Sequence, residues 1–267
     1  MSASPVPGAP GKSPPPLTAC GFSHPGRQRE DNEDAFGSFV DERLFVVADG
    51  MGGHNAGEVA SVLAIDALET FFRSYHADPR QAWPHPVERA LSLGANLLRV
   101  GLKVANDKIR AAAAADRARA RMATTVVAMA LGDSQLAVVH AGDSRAYRLR
   151  AGDLERLTRD HSLLEEMKAA RPEMTEAEMA AFAHRNVVTR CLGSKEDVEP
   201  GLYVGPLQEG DVYLLCSDGL WGAVPDARIA AIIRSTNDLE AACQLLIDAA
   251  NEAGGPDNIS ALLVRVG

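Results

Sequence analysis

Residues 124–156 read TTVVAMALGDSQLAVVHAGDSRAYRLRAGDLER. Three apolar runs, Thr124–Leu131, Gln135–Ala141 and Arg145–Arg150, are separated by short links that each carry Gly-Asp. Such links reverse a strand and leave no room for a crossover helix, so LGDSQ, HAGDSR and RAGDLE are each read as hairpin punctuation. A doubly wound parallel sheet is thereby disfavoured. Further strands are predicted at Leu44–Asp49, Asp211–Ser217 and Ile259–Val266, all rich in Val, Leu, Ile or Tyr.

Helical periodicity surrounds this block. In Ala56–Tyr75 the apolar positions Val59, Val62, Leu63, Ile65, Leu68 and Phe72 form a stripe suited to packing on a flat surface. Pro86–Ala120 and Asp238–Glu252 repeat the device. The predicted fold class is α+β: a central antiparallel β-sandwich flanked by helices on both faces, in four layers α-β-β-α.

The chain has 267 residues, 46% hydrophobic and 24% charged, as expected of a globular protein with a sizeable core. A net charge of −9 disfavours nonspecific attraction to nucleic acid or anionic lipid. No apolar run approaches the ~20 residues of a membrane helix and no signal peptide is evident, so a cytoplasmic location is expected. Cys20, Cys191, Cys216 and Cys243 form no CxxC pair, and none has an arginine six positions on, which excludes a cysteine-nucleophile phosphate loop.

Residues 1–16, MSASPVPGAPGKSPPP, are expected to form a disordered tail. Its GKS is a decoy, because Val6 stands where a P-loop needs glycine. The charged, helix-prone segment 160–186 is read as an inserted flap.

FVVADGMGG (45–53) and VYLLCSDGLW (212–221) both run apolar residues into Asp-Gly, at Asp49 and Asp218. AGDSR supplies Asp143, GGPDNIS supplies Asp257, and RQREDNEDAF supplies Arg29, Glu33 and Asp34. Asp-Gly alone is an ordinary turn dipeptide. Carboxylates at several strand ends can nonetheless converge on one rim of a sandwich, where like charges ~4 Å apart repel by about 4 kcal/mol per pair at an effective dielectric near 20. Cations relieve that repulsion, and oxygen donors without a His or Cys cluster point to Mg²⁺ or Mn²⁺. Gly50 is expected to let the backbone fold back, so that its carbonyl and the Asp49 carboxylate reach one ion. Two ions bridged by Asp49 would activate a water for in-line attack on phosphate, with Arg29 clamping the phosphoryl oxygens.

These stretches, with MATTVVAMAL, LTRDHSLLEEM and HRNVVTRCLGS, resemble in order and spacing the metal-dependent serine/threonine protein phosphatases of type 2C (PPM), in their compact bacterial form. The resemblance covers the chain from about Gly21 to its end. It implies one catalytic domain over 17–267 that hydrolyses phosphoserine and phosphothreonine on proteins. Asp49 resembles the bridging ligand, Gly50 the carbonyl ligand of the first metal, and Asp218 with Asp257 the ligands of the second. Glu33 would hold metal-bound water, Asp143 with Asp218 a third, weaker metal, and Arg29 the phosphate. Asp34 and Asn258 would orient these groups from behind. The resemblance further implies signal transduction, with phosphoprotein substrates and a cognate serine/threonine kinase as counterpart; a monomer is the default expectation, and the acidic balance and short apolar runs predict no nucleic-acid or membrane partner. One departure is Met51, where many eukaryotic relatives carry a proton-donating His; His54, three residues on, is read as structural, which leaves the general acid unassigned.

Trp221 is read as core packing beneath the site, His140 as a satisfied buried imidazole and Cys216 as packing. Two rival readings are a non-catalytic phosphatase-like regulatory or phosphoprotein-binding module and a two-metal nuclease. The intact acidic set opposes the first, and the acidic balance opposes the second.

Overall fold

The computed structural model describes residues 14–53, 55–184 and 187–267; most of the 1–16 tail and His54 lie outside them. In chain order the strands are β1 (Leu17–His24), β2 (Asp34–Phe39), β3 (Leu44–Met51), β4 (Ala123–Thr124), β5 (Val126–Leu131), β6 (Gln135–Ala141), β7 (Arg145–Arg150), β8 (Asp153–Arg156), β9 (Gly201–Pro206), β10 (Val212–Cys216) and β11 (Ile259–Val266). The helices are α1 (Ala56–Ala77), α2 (Leu93–Ala115), α3 (Leu163–Ala170), α4 (Glu176–Ala180), α5 (Asp218–Trp221), α6 (Asp226–Ser235) and α7 (Leu239–Glu252).

The strands form two sheets, ordered β1-β11-β10-β7-β8 and β2-β3-β5-β6-β9, with β4 added to β3. Every described pairing is antiparallel. Phe45 and Val47 of β3, Val127 and Met129 of β5, and Leu262 and Val264 of β11 fill the space between the sheets. Their alternate neighbours Leu44, Val46, Val126 and Ala128 pack outward against α1 and α2, while Ala261 and Leu263 pack against α6 and α7. Both faces of the central strands are thus buried, which is why their sequences are continuous apolar runs. The four-layer expectation holds.

Two of the three Gly-Asp links behave as expected: LGDSQ joins β5 to β6 and RAGDLE joins β7 to β8 as hairpins. HAGDSR does not. Its flanking strands β6 and β7 belong to different sheets, so the link is a corner between layers. Gly142 turns that corner at φ +112°, and a Cβ there would lie 2.5 Å from Thr125 Cβ, so only glycine fits.

The second helical pattern is shorter than its periodicity predicts. The Ser92 hydroxyl accepts from Ala95 N at 3.3 Å and starts α2 at Leu93, well after Pro86. At its far end Asp116 caps a separate 3₁₀ turn over Arg117–Arg119. Asp238 caps α7, whose range otherwise matches the sequence reading. Within 160–186, Ser162 caps α3 and a Thr175/Glu178 capping box starts α4. The segment's ends are tied together by the Ser162–Val188 bridge and by Thr189 N donating to His161 O at 2.8 Å.

At the rim remote from the acidic turns, Arg150 forks onto both oxygens of Asp211 at 2.7 and 2.6 Å, and the Tyr213 hydroxyl donates to Asp211 at 2.7 Å. Asp211 is only 1% exposed. Burial alone would raise its pKa, but the Arg150 and Tyr213 hydrogen bonds hold it below the ordinary aspartate value. Asp211→Ala is expected to lower unfolding stability by about 3 kcal/mol in urea melts, because the guanidinium loses its partner. The pair's contribution is present above the unfolded pKa of about 4 and fades as pH falls through the lower folded value, so the variant's deficit should shrink in strong acid.

Candidate metal centre

The two inner rims of the sandwich meet where the acidic turns lie. β2 and β3 pair with Asp34 directly opposite Asp49, which puts both carboxylates on the same face. β3 does not end at Asp49: it runs through Gly50 and Met51, paired with Thr124 and Ala123 of β4. The fold-back expected at Gly50 is therefore absent, and glycine is needed for another reason. A Cβ there would lie 2.1 Å from the Gly57 carbonyl and 2.6 Å from that of Glu33, so the bare residue lets the start of α1 and the 29–33 loop close on Asp49.

Arg29, Glu33, Asp49, Gly50, Asp143, Asp218, Asp257 and Asn258 line one open pocket of about 620 Å³, together with Met51 and Thr125. They come from the 29–33 loop, β3, the corner between sheets, the start of α5 and the loop before β11. Asp34 does not line it and lies buried behind. Ser217 Oγ donates to Asp34 Oδ2 at 2.6 Å, while Asp34 Oδ1 is buried with no hydrogen-bond partner.

Asn258 ties the loops together. Its Oδ1 accepts from Glu33 N at 2.8 Å, and its Nδ2 donates to the carbonyls of Pro25 and Asp31 at 3.0 and 2.9 Å. Its backbone N–H donates to Asp257 Oδ1 at 2.9 Å, and Arg29 donates to Asp257 Oδ2 at 2.9 Å. Arg29 is 56% exposed, and it pairs with Asp257, not with neighbouring Glu30 or Asp31. Glu33 Oε1 accepts from Gly57 N at 3.2 Å.

Electrostatics mark the pocket as strained. Burial raises Asp34 to about 7, with the charges of Asp218 and Asp257 adding to the rise. Asp143 is likewise pushed to about 7 by burial and by Asp218. Asp218 reaches about 6 through burial and Asp257, against the opposing charge of Arg29. Burial, then Asp34, Asp218 and Asp143, drive Asp49 well above the carboxylate range. Glu33 is raised chiefly by burial. Among the described residues no three His, Cys, Asp or Glu side chains are drawn together as a finished metal cage. The carboxylates ring a cavity instead, with Asp257 turned to Arg29, as mutual repulsion dictates.

A hard divalent cation fits this donor set. Among the described residues the lining offers carboxylates with no thiol or imidazole, and the raised Asp143 and Asp218 mark a site where bare negative charge is disfavoured without a counterion.

Sequence reasoning passed over several residues here. Thr125 Oγ1 accepts from Asp49 N at 3.2 Å and meets Ser144 Oγ at 2.7 Å, bracing the strand that carries Asp49. Trp221 packs against the core in part, as expected, but it is only half-buried and also lines a neighbouring cleft of about 500 Å³ that shares Asp143, Asp218 and Asp257 with the pocket. His140 does behave as a satisfied imidazole, with Nε2 at 2.6 Å from Arg159 O, and Cys216 is buried packing.

The protein phosphatase 2C family pattern matches residues 20–262. The chain belongs to the protein phosphatase 2C family. It is 35% identical over 247 residues to the serine/threonine phosphatase Stp of Listeria welshimeri, covering 90% of this chain and 92% of that protein. With protein phosphatase PhpP of Streptococcus pneumoniae it shares 32% over 248 residues, covering 90% and 94%. Among solved structures, the Mycobacterium tuberculosis serine/threonine phosphatase PstP superposes with a TM-score of 0.81 at 32% identity, covering 94% of this chain and 98% of that one. The catalytic domain of PstP in complex with two manganese ions gives 0.78 at the same identity and coverage. As a 2C family member the chain is a metal-dependent phosphoprotein phosphatase, and metal dependence agrees with a pocket whose charge is uncompensated.

The raised carboxylates have a measurable consequence. Their folded pKa values exceed the unfolded aspartate value of about 4, so the metal-free fold holds protons that the unfolded chain releases. The stability they contribute is full below that unfolded value and is lost as pH rises through about 6 to 7. In EDTA, the melting temperature should fall between pH 5 and pH 8, and added Mn²⁺ should raise it by more at pH 8 than at pH 5.5. Equal Mn²⁺ shifts at both values would argue against cation binding by these groups.

Proposed function

We propose that residues 17–267 act as one catalytic unit that removes phosphate from phosphoserine and phosphothreonine on proteins, using two Mg²⁺ or Mn²⁺ ions in the acidic pocket. The carrying observation is that carboxylates from five separate segments, Glu33, Asp49, Asp143, Asp218 and Asp257, line one pocket with Arg29 beside Asp257. Asp49 and the Gly50 carbonyl would hold the first ion, Asp218 and Asp257 with Asp49 the second, and Asp143 with Asp218 a weaker third. Bound there, such ions lower the pKa of water and offset phosphoryl charge.

The chain's own groups divide the remaining work. Arg29 has Asp257 as its one hydrogen-bond partner among the described residues, and its exposed fork can turn to the phosphoryl oxygens. Glu33, fixed through its backbone by Asn258 and through its carboxylate by Gly57, can hold and orient water. Asp34 and Thr125 keep Asp49 in place from behind. Met51 lines the pocket but carries no proton to donate, and the general acid is left unassigned.

The segment 160–184 stands beside the pocket as a flap, and its first helix faces the adjoining cleft through Leu164, Glu165 and Lys168. Acting as a monomer, the enzyme would reset the substrates of a serine/threonine kinase, the kinase itself among them. Its four free cysteines accord with a reducing cytoplasm. Among the described residues no helix is long and apolar enough to cross a membrane.

Hydrolysis of a phosphothreonine peptide should vanish on chelation and return with Mn²⁺. Asp218→Asn is expected to lower kcat by a factor of about 100 or more, in line with losses seen when catalytic electrostatics are removed. Arg29→Ala should mainly raise KM, by about tenfold. Turnover that persists without metal would overturn the reading.

A further inference from the structure

Arg145 opens β7 two residues after Asp143, and four parts of the fold meet on its guanidinium. Nε and one terminal nitrogen donate to the two oxygens of Asp160 at 2.9 and 2.7 Å. The other terminal nitrogen donates to the Tyr147 hydroxyl at 3.0 Å, which in turn donates to Asp226 at 3.1 Å. The guanidinium carbon lies 3.4 Å from the centre of the Trp221 ring, and Trp221 Nε1 donates to the Asp143 carbonyl at 3.0 Å. Next to Asp160, His161 N donates to Gly142 O at 2.9 Å, while Gly142 N donates to His161 Nδ1 at 3.4 Å. The corner bearing Asp143, the root of the flap, α5 bearing Asp218 and the first turn of α6 are therefore linked through one cation.

We infer that Arg145 is a positioning residue that clamps the flap root and the Trp221 ring against the Asp143 corner, so that flap attachment and the placement of Asp143 and Asp218 are set together. The inference rests on the phosphatase reading for the task it gives those two carboxylates. A planar fork is required: lysine can pair with Asp160 as a point charge, but it cannot hold both oxygens while lying flat on an indole. Asp160 keeps a second cation, Arg156 at 3.6 Å, so loosening the fork does not strand a bare buried carboxylate.

Arg145→Lys in the full chain separates the clamp from simple structural support. In the metal-free protein, a glutamate-specific protease should cut within 163–186 about tenfold faster than in the unmodified chain. The Mn²⁺ concentration for half-maximal hydrolysis of p-nitrophenyl phosphate should rise about tenfold, the range typical for groups that orient metal ligands. KM for a phosphothreonine peptide should rise by a larger factor than KM for p-nitrophenyl phosphate. Unchanged flap cleavage with an unchanged Mn²⁺ midpoint overturns the inference. So does an equal loss of kcat on both substrates with the midpoint unmoved. Should Arg145→Lys fail to fold, Trp221→Phe keeps an aromatic ring beneath Arg145, with less stacking surface, and removes the bond to Asp143. It should shift the Mn²⁺ midpoint in the same direction, and an unmoved midpoint overturns the clamp. An unmodified chain with no Mn²⁺-dependent turnover would instead defeat the phosphatase reading, and the protease comparison would still decide the clamp.

Discussion

Mutual repulsion among carboxylates at one rim of a β-sandwich is the constraint around which this molecule is arranged. A pair of like charges ~4 Å apart costs about 4 kcal/mol at an effective dielectric near 20, a large part of the 5–15 kcal/mol by which a domain is stable. The fold holds these groups near one another by attaching each to something stiff. Asp49 rides on a strand buried on both faces, Asp218 starts a short helix, and Asp257 is held by Asn258 and Arg29. The opposite rim satisfies the deeply buried carboxylate of Asp211 with protein donors. Acidity at one end is paired within the protein, whereas at the other, where we propose that ions bind, most of it is not.

The corner at Gly142–Asp143 makes the arrangement possible. A hairpin there would have kept β6 and β7 in one sheet and placed Asp143 at a sheet edge. By crossing between layers, the link delivers Asp143 to the seam where β3 and β10 end and β11 begins. The sequence could not distinguish the two outcomes, since Gly-Asp-Ser suits either. The difference lies in Thr125, which packs against Gly142 from a remote position in the chain.

The same logic explains which strands were legible. β3, β5, β6, β7, β10 and β11 were all evident as apolar runs, and each lies inside a sheet with neighbours on both sides. β1, β2, β8 and β9 were missed, and they are the four edges. Half-exposed edges tolerate the Gly, Ser and Pro of LTACGFSH, DAFGSF and GLYVGP, so period and composition carry little signal there. The acidic residues were readable because their motifs are local and ordered. Their supports, Arg145, Trp221, Thr125 and Ser217, were not, because contacts between distant segments leave no mark on spacing. Gly50 was singled out for the wrong reason: the demand for glycine comes from neighbouring backbones pressing on an uninterrupted strand.

The bridge between Ser162 and Val188 means that the chain leaves and re-enters the body at practically one spot. Closure entropy grows only slowly with loop length, so the span between those anchors can lengthen, shorten or be exchanged wholesale with little effect on the sandwich. The chain between those anchors is therefore free to vary as a detachable handle, while the sandwich that bears it stays the same.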